Sequence, residues 1–149
     1  KMPGRRSNMK HLVIASHGFL SRELIESAAL IMGEGPDILY LCMCETTTRD
    51  EIREILEEKL EQWKLDDEII IMADVLGGSI CTLCTEFLVD RRVHIVSGVN
   101  LPMVLTALGG VEFMDLNEMI EQMINSAKEG ICYINQMQAD SGKEEELIL

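Results

Sequence analysis

The sequence predicts an α/β fold, a three-layer, open and mainly parallel sheet with helices on both faces and an antiparallel edge strand at its C-terminal end. Three observations predict it. Short apolar runs alternate with segments of helical periodicity along the chain. The runs are nearly continuous in Ile, Leu and Val, so both of their faces are buried, as in a parallel sheet covered by helices. No repeat or low-complexity linker divides the 149 residues, a length that suits one domain with a real core.

The elements follow in order. Residues 1–8 read as a leader or remnant without a hydrophobic signal region, and the domain spans 9–135. Its first strand is Leu12 to Ala15. The helix Ser21 to Met32 carries Leu24, Ile25, Ala28, Leu30 and Ile31 on a broad apolar face, with Gly33 placed to end it. Ile38 to Cys42 is the second strand. Thr48-Arg49-Asp50-Glu51 then opens a helix with Ile52, Ile55, Leu56, Leu60 and Trp63 at three- and four-residue spacings. The third strand, Ile69 to Ala73, leads to a helix from Ser79 to about Val89. The fourth, Val93 to Val96, leads to a short helix from Pro102 to about Leu108. A fifth helix, Asp115 to Lys128, aligns Leu116, Met119, Ile120, Met123 and Ile124, with Gly130 behind it. The run Ile131 to Ile134 supplies the edge strand. Residues 136–149 read as an acidic tail, mobile or packed on a partner subunit.

The formal net charge of -13 argues against a nucleic-acid partner and suits a basic protein partner through steering of encounter. No apolar stretch approaches the roughly 18 to 20 residues of a membrane span. Five cysteines form an odd set in a chain with enough core of its own, which favours reduced thiols in a cytoplasm. Cys42 and Cys44, two residues apart at the end of a strand, read as packing residues.

His17 is the first candidate for chemistry, because it stands where a buried strand ends and a loop begins. Ligands and chemistry gather at that edge of an open parallel sheet, and histidine can serve there as nucleophile or proton carrier. The second candidate is Asp74-Val75-Leu76-Gly77-Gly78-Ser79, in which the third strand ends on an aspartate and a glycine pair precedes a helix. Glycines let the backbone approach a bound group, and free N–H groups at a helix start suit an anion; a glycine turn with Ser79 as N-cap explains the same residues structurally. First and third strands are commonly neighbours, which puts His17 and Asp74 at one edge, where a carboxylate fixes the imidazole tautomer. Ser97-Gly98-Val99-Asn100-Leu101-Pro102-Met103 brings a third loop there. His11 reads as a surface or edge residue, His94 as a core or edge histidine, and Glu57, Glu58 and Glu61 as a solvated helix face. Cys81-Thr82-Leu83-Cys84 is a C-x-x-C at a helix start, the basis of a rival thiol redox reading; Cys132 and His94 are too scattered to complete a zinc site with it.

Taken together, Ser16-His17-Gly18, the helix ending Met32-Gly33-Glu34, Asp74 to Ser79 and Gly98 to Met103 resemble the mannose-type enzyme IIA domain of the bacterial phosphoenolpyruvate-dependent sugar phosphotransferase system. The likeness spans nearly all of Met9 to Lys128. It implies that His17 takes a phosphoryl group from the phosphocarrier HPr and gives it to a IIB component, with the membrane IIC and IID subunits reached indirectly. It also implies that Asp74 orients the imidazole, that Gly77, Gly78 and Ser79 hold the phosphoryl oxygens, and that Gly18, Asn100 and Pro102 belong to site or partner loops. A homodimer is implied, and no metal or cofactor. Where the family usually continues Gly-Gly-Ser-Pro-Phe/Tyr-Asn, this chain has Ile80 and Thr82 at the proline and asparagine positions. Domains of this type also resemble pieces of phosphotransferase-controlled regulators, so a module that senses phosphorylation is the alternative from another class.

Overall fold

The computed structural model describes residues 8–148 and side chains through residue 142; the leader expectation falls on residues 1–7, which lie outside the described residues, and on Asn8. The chain runs β1 (Lys10–His17), α1 (Leu20–Met32), β2 (Ile38–Met43), α2 (Arg49–Gln62), β3 (Glu68–Ala73) and α3 (Ser79–Thr85). A 3-10 turn (Glu86–Val89), β4 (Val93–Ser97), α4 (Leu101–Gly110), α5 (Leu116–Glu129) and α6 (Ile134–Ile148) follow. The four strands are ordered β2-β1-β3-β4 and every pairing is parallel.

The continuous apolar runs are explained by two cores, one on each face. Successive strand side chains point to opposite faces. Leu12, Ile14, Ile70 and Met72 therefore join α1, α4 and α5 through Ala28, Met103, Val104, Met119 and Met123. Val13, Ala15, Ile69 and Ile71 join α2 and α3 through Ile52, Leu56, Ile80 and Leu83. β1 leads outward to β2 while β3 leads the other way to β4, so the topological switch point lies between β1 and β3.

Local signals set the helix ends. Thr48 Oγ1 accepts the Glu51 N–H at 3.2 Å and the Glu51 carboxylate accepts the Thr48 N–H at 3.1 Å, a complete capping box on α2. At the other end of α2, Arg92 donates to the carbonyls of Leu60, Trp63 and Lys64 at 2.9, 3.2 and 3.0 Å. Its partner Asp90 accepts from the same guanidinium at 2.8 Å. His11 is not a bare surface residue: its ring stacks on Trp63 with centroids 4.4 Å apart, and its Nε2 meets Asp67 Oδ2 at 2.8 Å.

Several sequence expectations are corrected. The antiparallel edge strand at Ile131 to Ile134 does not form: residues 131–133 are irregular and Ile134 begins α6. These residues are exposed, and the backbone bonds here are local, Ile131 N–H to Lys128 at 3.2 Å and Gln136 N–H to Tyr133 at 3.1 Å. A short apolar run has no strand identity without a ladder partner, and Ile134 with Met137 fits helical spacing equally well. The third helix breaks at Thr85 into a 3-10 turn. The apolar face of α1 is narrower than its sequence suggests, since Leu24, Ile25 and Ala28 pack while Leu30 is 90% exposed and Ile31 is exposed.

Replacing Arg92 leaves three helix-end carbonyls without their charged donor and Asp90 without its partner. Arg92→Ala is expected to destabilise the fold by about 2 kcal/mol, read as a lower urea midpoint with an unchanged slope.

Candidate functional site

Everything at the site hangs on the C-terminal edges of β1 and β3. The ladder continues one residue past β3, where the Asp74 N–H donates to the Ala15 carbonyl at 3.1 Å. That bond aims the Asp74 carboxylate across to the end of β1. Its Oδ2 accepts both the backbone N–H of His17 and the ring Nδ1–H, each at 2.8 Å, and Oδ1 accepts the Val75 N–H at 2.8 Å. Asp74 is 7% exposed in its side chain, whereas His17 is 48% exposed. A buried carboxylate thus orients a ring that faces solvent.

Burial by itself pushes the Asp74 carboxyl upward. The hydrogen bonds from the His17 backbone, the His17 ring and the Val75 backbone outweigh it and hold the group below its ordinary 3.8. An ionised Asp74 can only accept, so Nδ1 carries a proton, and in the neutral ring it is Nε2 that carries the lone pair. Ser79 Oγ lies 3.0 Å from Nε2 and donates to it.

Ser79 is not the N-cap of α3. That position belongs to Gly78, and Ser79 is the first helical residue, which leaves its hydroxyl for the imidazole. Gly77 has φ of +79°, a conformation open to glycine. Gly78 is needed for space: a Cβ there would lie 3.1 Å from His17 Cε1 and 3.2 Å from the Val75 carbonyl oxygen. The Gly78 N–H is already committed to the Val75 carbonyl at 3.0 Å. Ile80 is fully buried in the α2/α3 core and Thr82 is exposed.

The other expected residues divide. Gly18 turns the chain at the end of β1 with φ of +56°, its N–H donating to the Met43 carbonyl at 2.8 Å. Asn100 caps α4 by accepting the Met103 N–H at 3.1 Å and ties α4 to α5 by donating to the Ala127 carbonyl at 3.0 Å. Pro102 sits in the first turn of α4. Both of Asn100's bonds are thus structural. The Cys81/Cys84 pair is buried and free of disulfide. Burial, then the neighbouring Cys81 and Asp74, push the Cys84 thiol up to about 12, the reverse of what a redox thiol needs. Sequence reasoning missed the second bond from Asp74, to the His17 backbone, because a carboxylate's choice of donors is set by strand register.

A family model described as the fructose IIA component of the sugar phosphotransferase system (PTS), of the EIIA-man type, matches residues 11–124. The chain belongs to the mannose-type enzyme IIA family. Membership gives it a role in sugar phosphotransfer. It is 24% identical over 116 residues to the PTS fructose-specific EIIA component of Bacillus subtilis, covering 77% of this chain and 80% of that protein. The mannose-specific EIIAB component of Escherichia coli K12 is 20% identical over 122 residues, 80% of this chain but 38% of that longer protein. A Klebsiella pneumoniae crystal structure assigned to a phosphoenolpyruvate-dependent sugar phosphotransferase permease superposes with a TM-score of 0.78 at 30% identity, covering 89% of this chain and 96% of that one. Among the described residues no helix is long and apolar enough to cross a membrane.

Two outcomes follow from the geometry. Because the Asp74 pKa is lowered in the folded enzyme IIA domain, its stabilising contribution is present above the ordinary 3.8 and is lost as the pH falls through the lower folded value. The stability gap between wild type and Asp74→Asn is therefore expected to narrow on acidification below that point, measured by urea unfolding across a pH series. Gly78→Ala is expected to displace the imidazole and change the His17 ring resonances while the helical circular dichroism stays constant.

Proposed function

We propose that His17 is a transient phosphoryl carrier, accepting phosphate on Nε2 from phospho-HPr and passing it to a IIB component. The observation that carries this reading is the Asp74–His17–Ser79 chain, which leaves one ring nitrogen unprotonated, exposed and beside a hydroxyl. The Nε2 lone pair attacks phosphorus, the donor's P–N bond breaks, and its electron pair stays with the donor imidazole. The phosphorylated His17 ring keeps its proton on Nδ1, where the Asp74 carboxylate balances the positive charge. Transfer between imidazoles relies on positioning and charge neutralisation.

Ser79 then turns its hydroxyl from Nε2 to a phosphoryl oxygen. The first backbone bond of α3 runs from the Thr82 N–H to the Gly78 carbonyl at 2.9 Å, so the N–H groups ahead of it have no acceptor within the helix. Gly77 and Gly78 contribute conformation and room beside those donors. Exposed Phe19 and Leu20, just after β1, and Val75 and Leu76, just after β3, supply the apolar part of a protein docking face. The acidic surface suits a basic phosphocarrier.

The name EIIAB of the Escherichia coli relative supports a IIB acceptor. The membrane IIC and IID components would be reached through IIB, and the setting is the cytoplasm. Exposed Ile131, Tyr133, Ile134 and Met137 support a homodimer, with this apolar segment covered by the second copy.

Incubation with phosphoenolpyruvate, enzyme I and HPr is the test. Acid-labile phosphate is expected on the wild type and absent from His17→Ala, with Asp74→Asn labelled on the order of 10²-fold more slowly. No label on the wild type, beside a labelled control domain, defeats the proposal. Label that reaches no IIB component selects the phosphorylation-sensing alternative.

A further inference from the structure

Ser16 precedes His17 in β1 but belongs to the opposite face of the sheet. Val13 and Ala15 enter the α2/α3 core, while Leu12 and Ile14 enter the α1/α4/α5 core. His17 continues the first series and meets Ser79 of α3; Ser16 continues the second and meets the start of α1. Ser16 is fully buried. Its Oγ accepts the Ser21 N–H at 2.7 Å and donates to the Gly18 carbonyl at 3.4 Å.

Ser21 is the second residue of α1, so its N–H has no acceptor inside the helix. Phe19, at the N-cap position, offers no side-chain bond. Ser16 therefore caps α1 from within the strand that precedes it. The same turn is fastened to β2 at three points: Ser21 Oγ donates to the Leu41 carbonyl at 3.0 Å and lies 3.3 Å from Cys42 Sγ, and the Gly18 N–H donates to the Met43 carbonyl. Ser16 is the only side chain that binds this turn to itself among the hydrogen bonds of residues 16–21.

We propose that Ser16 is a positioning residue for His17, acting through the α1 cap, a role that rests on His17 being the phosphoryl acceptor. Adjacent strand residues share one stiff stretch of backbone. Holding Ser16 down onto the start of α1 fixes the roll of β1 at its end, and with it the direction in which the His17 side chain leaves the strand. If that roll is released, the bonds to Asp74 and Ser79 lose their alignment together. Misplacement of a reacting group by about 1 Å can cost on the order of 10²-fold in rate.

The test compares Ser16→Ala, Ser16→Cys and Ser16→Thr with wild type by three measurements: the rate of phosphoryl acceptance, the tautomer of the unphosphorylated His17 ring by nitrogen-15 NMR, and hydrogen exchange at the Ser21 amide. Ser16→Ala is expected to slow acceptance about tenfold or more, to mix the ring tautomers and to expose the Ser21 amide. Ser16→Thr, which keeps the hydroxyl, restores all three. Ser16→Cys, a weak acceptor of similar size, falls between them and carries the comparison if Ser16→Ala does not fold. A wild-type rate and ring signature in the alanine and cysteine variants overturns the proposal, as does a loss of stability with the ring unchanged. If the wild type accepts no phosphate, the carrier reading fails, while the ring tautomer and the Ser21 exchange still decide the positioning role.

Discussion

The carboxylate of Asp74 is the constraint on which the site depends. It accepts from both the backbone and the ring of His17, so it joins the ends of β1 and β3 and sets the protonation of the imidazole in one contact. Remove the register between those strands and the aspartate has nothing to hold; remove the aspartate and the histidine becomes an ordinary exposed side chain. The sheet order supplies the register, because β1 and β3 are adjacent at the point where the chain reverses direction across the sheet.

The two sides of that contact have different physical character. Beneath it, both faces of β1 and β3 are sealed by helices, and the strands are held by apolar burial. Above it, glycines and small polar side chains replace bulk, so that a half-exposed histidine ring fits between Asp74 and Ser79. Gly78 shows the tolerance involved, since one added methyl would meet the ring at 3.1 Å. The same end of the sheet is apolar at Phe19, Val75 and Leu76, which suits transient contact with another protein better than enclosure of a small substrate.

Much of this was legible in the sequence because the signals were local. Continuous Ile and Val runs specify doubly covered strands, Thr48 to Glu51 announces the start of a helix, and the ends of the first and third runs place His17 beside Asp74. What could not be read was decided by distance in space. Ile131 to Ile134 looks like a strand until a ladder partner is sought, and Leu30 looks like core until the width of the packed face is known. Ser79 passes for an N-cap because its hydroxyl can serve the backbone or the imidazole, and only the position of His17 chooses. The pairing of His11 with Asp67, 56 residues apart, has no signature in either neighbourhood.

The opposite edge of the sheet is fastened differently. There Asp67 bonds His11, His11 stacks on Trp63, and Arg92 clamps the end of α2. One end of the molecule is thus cross-braced by charged and aromatic side chains, while the other depends on the carboxylate of Asp74 and the turns around it. The braced end holds the strand register without which that carboxylate would not reach His17.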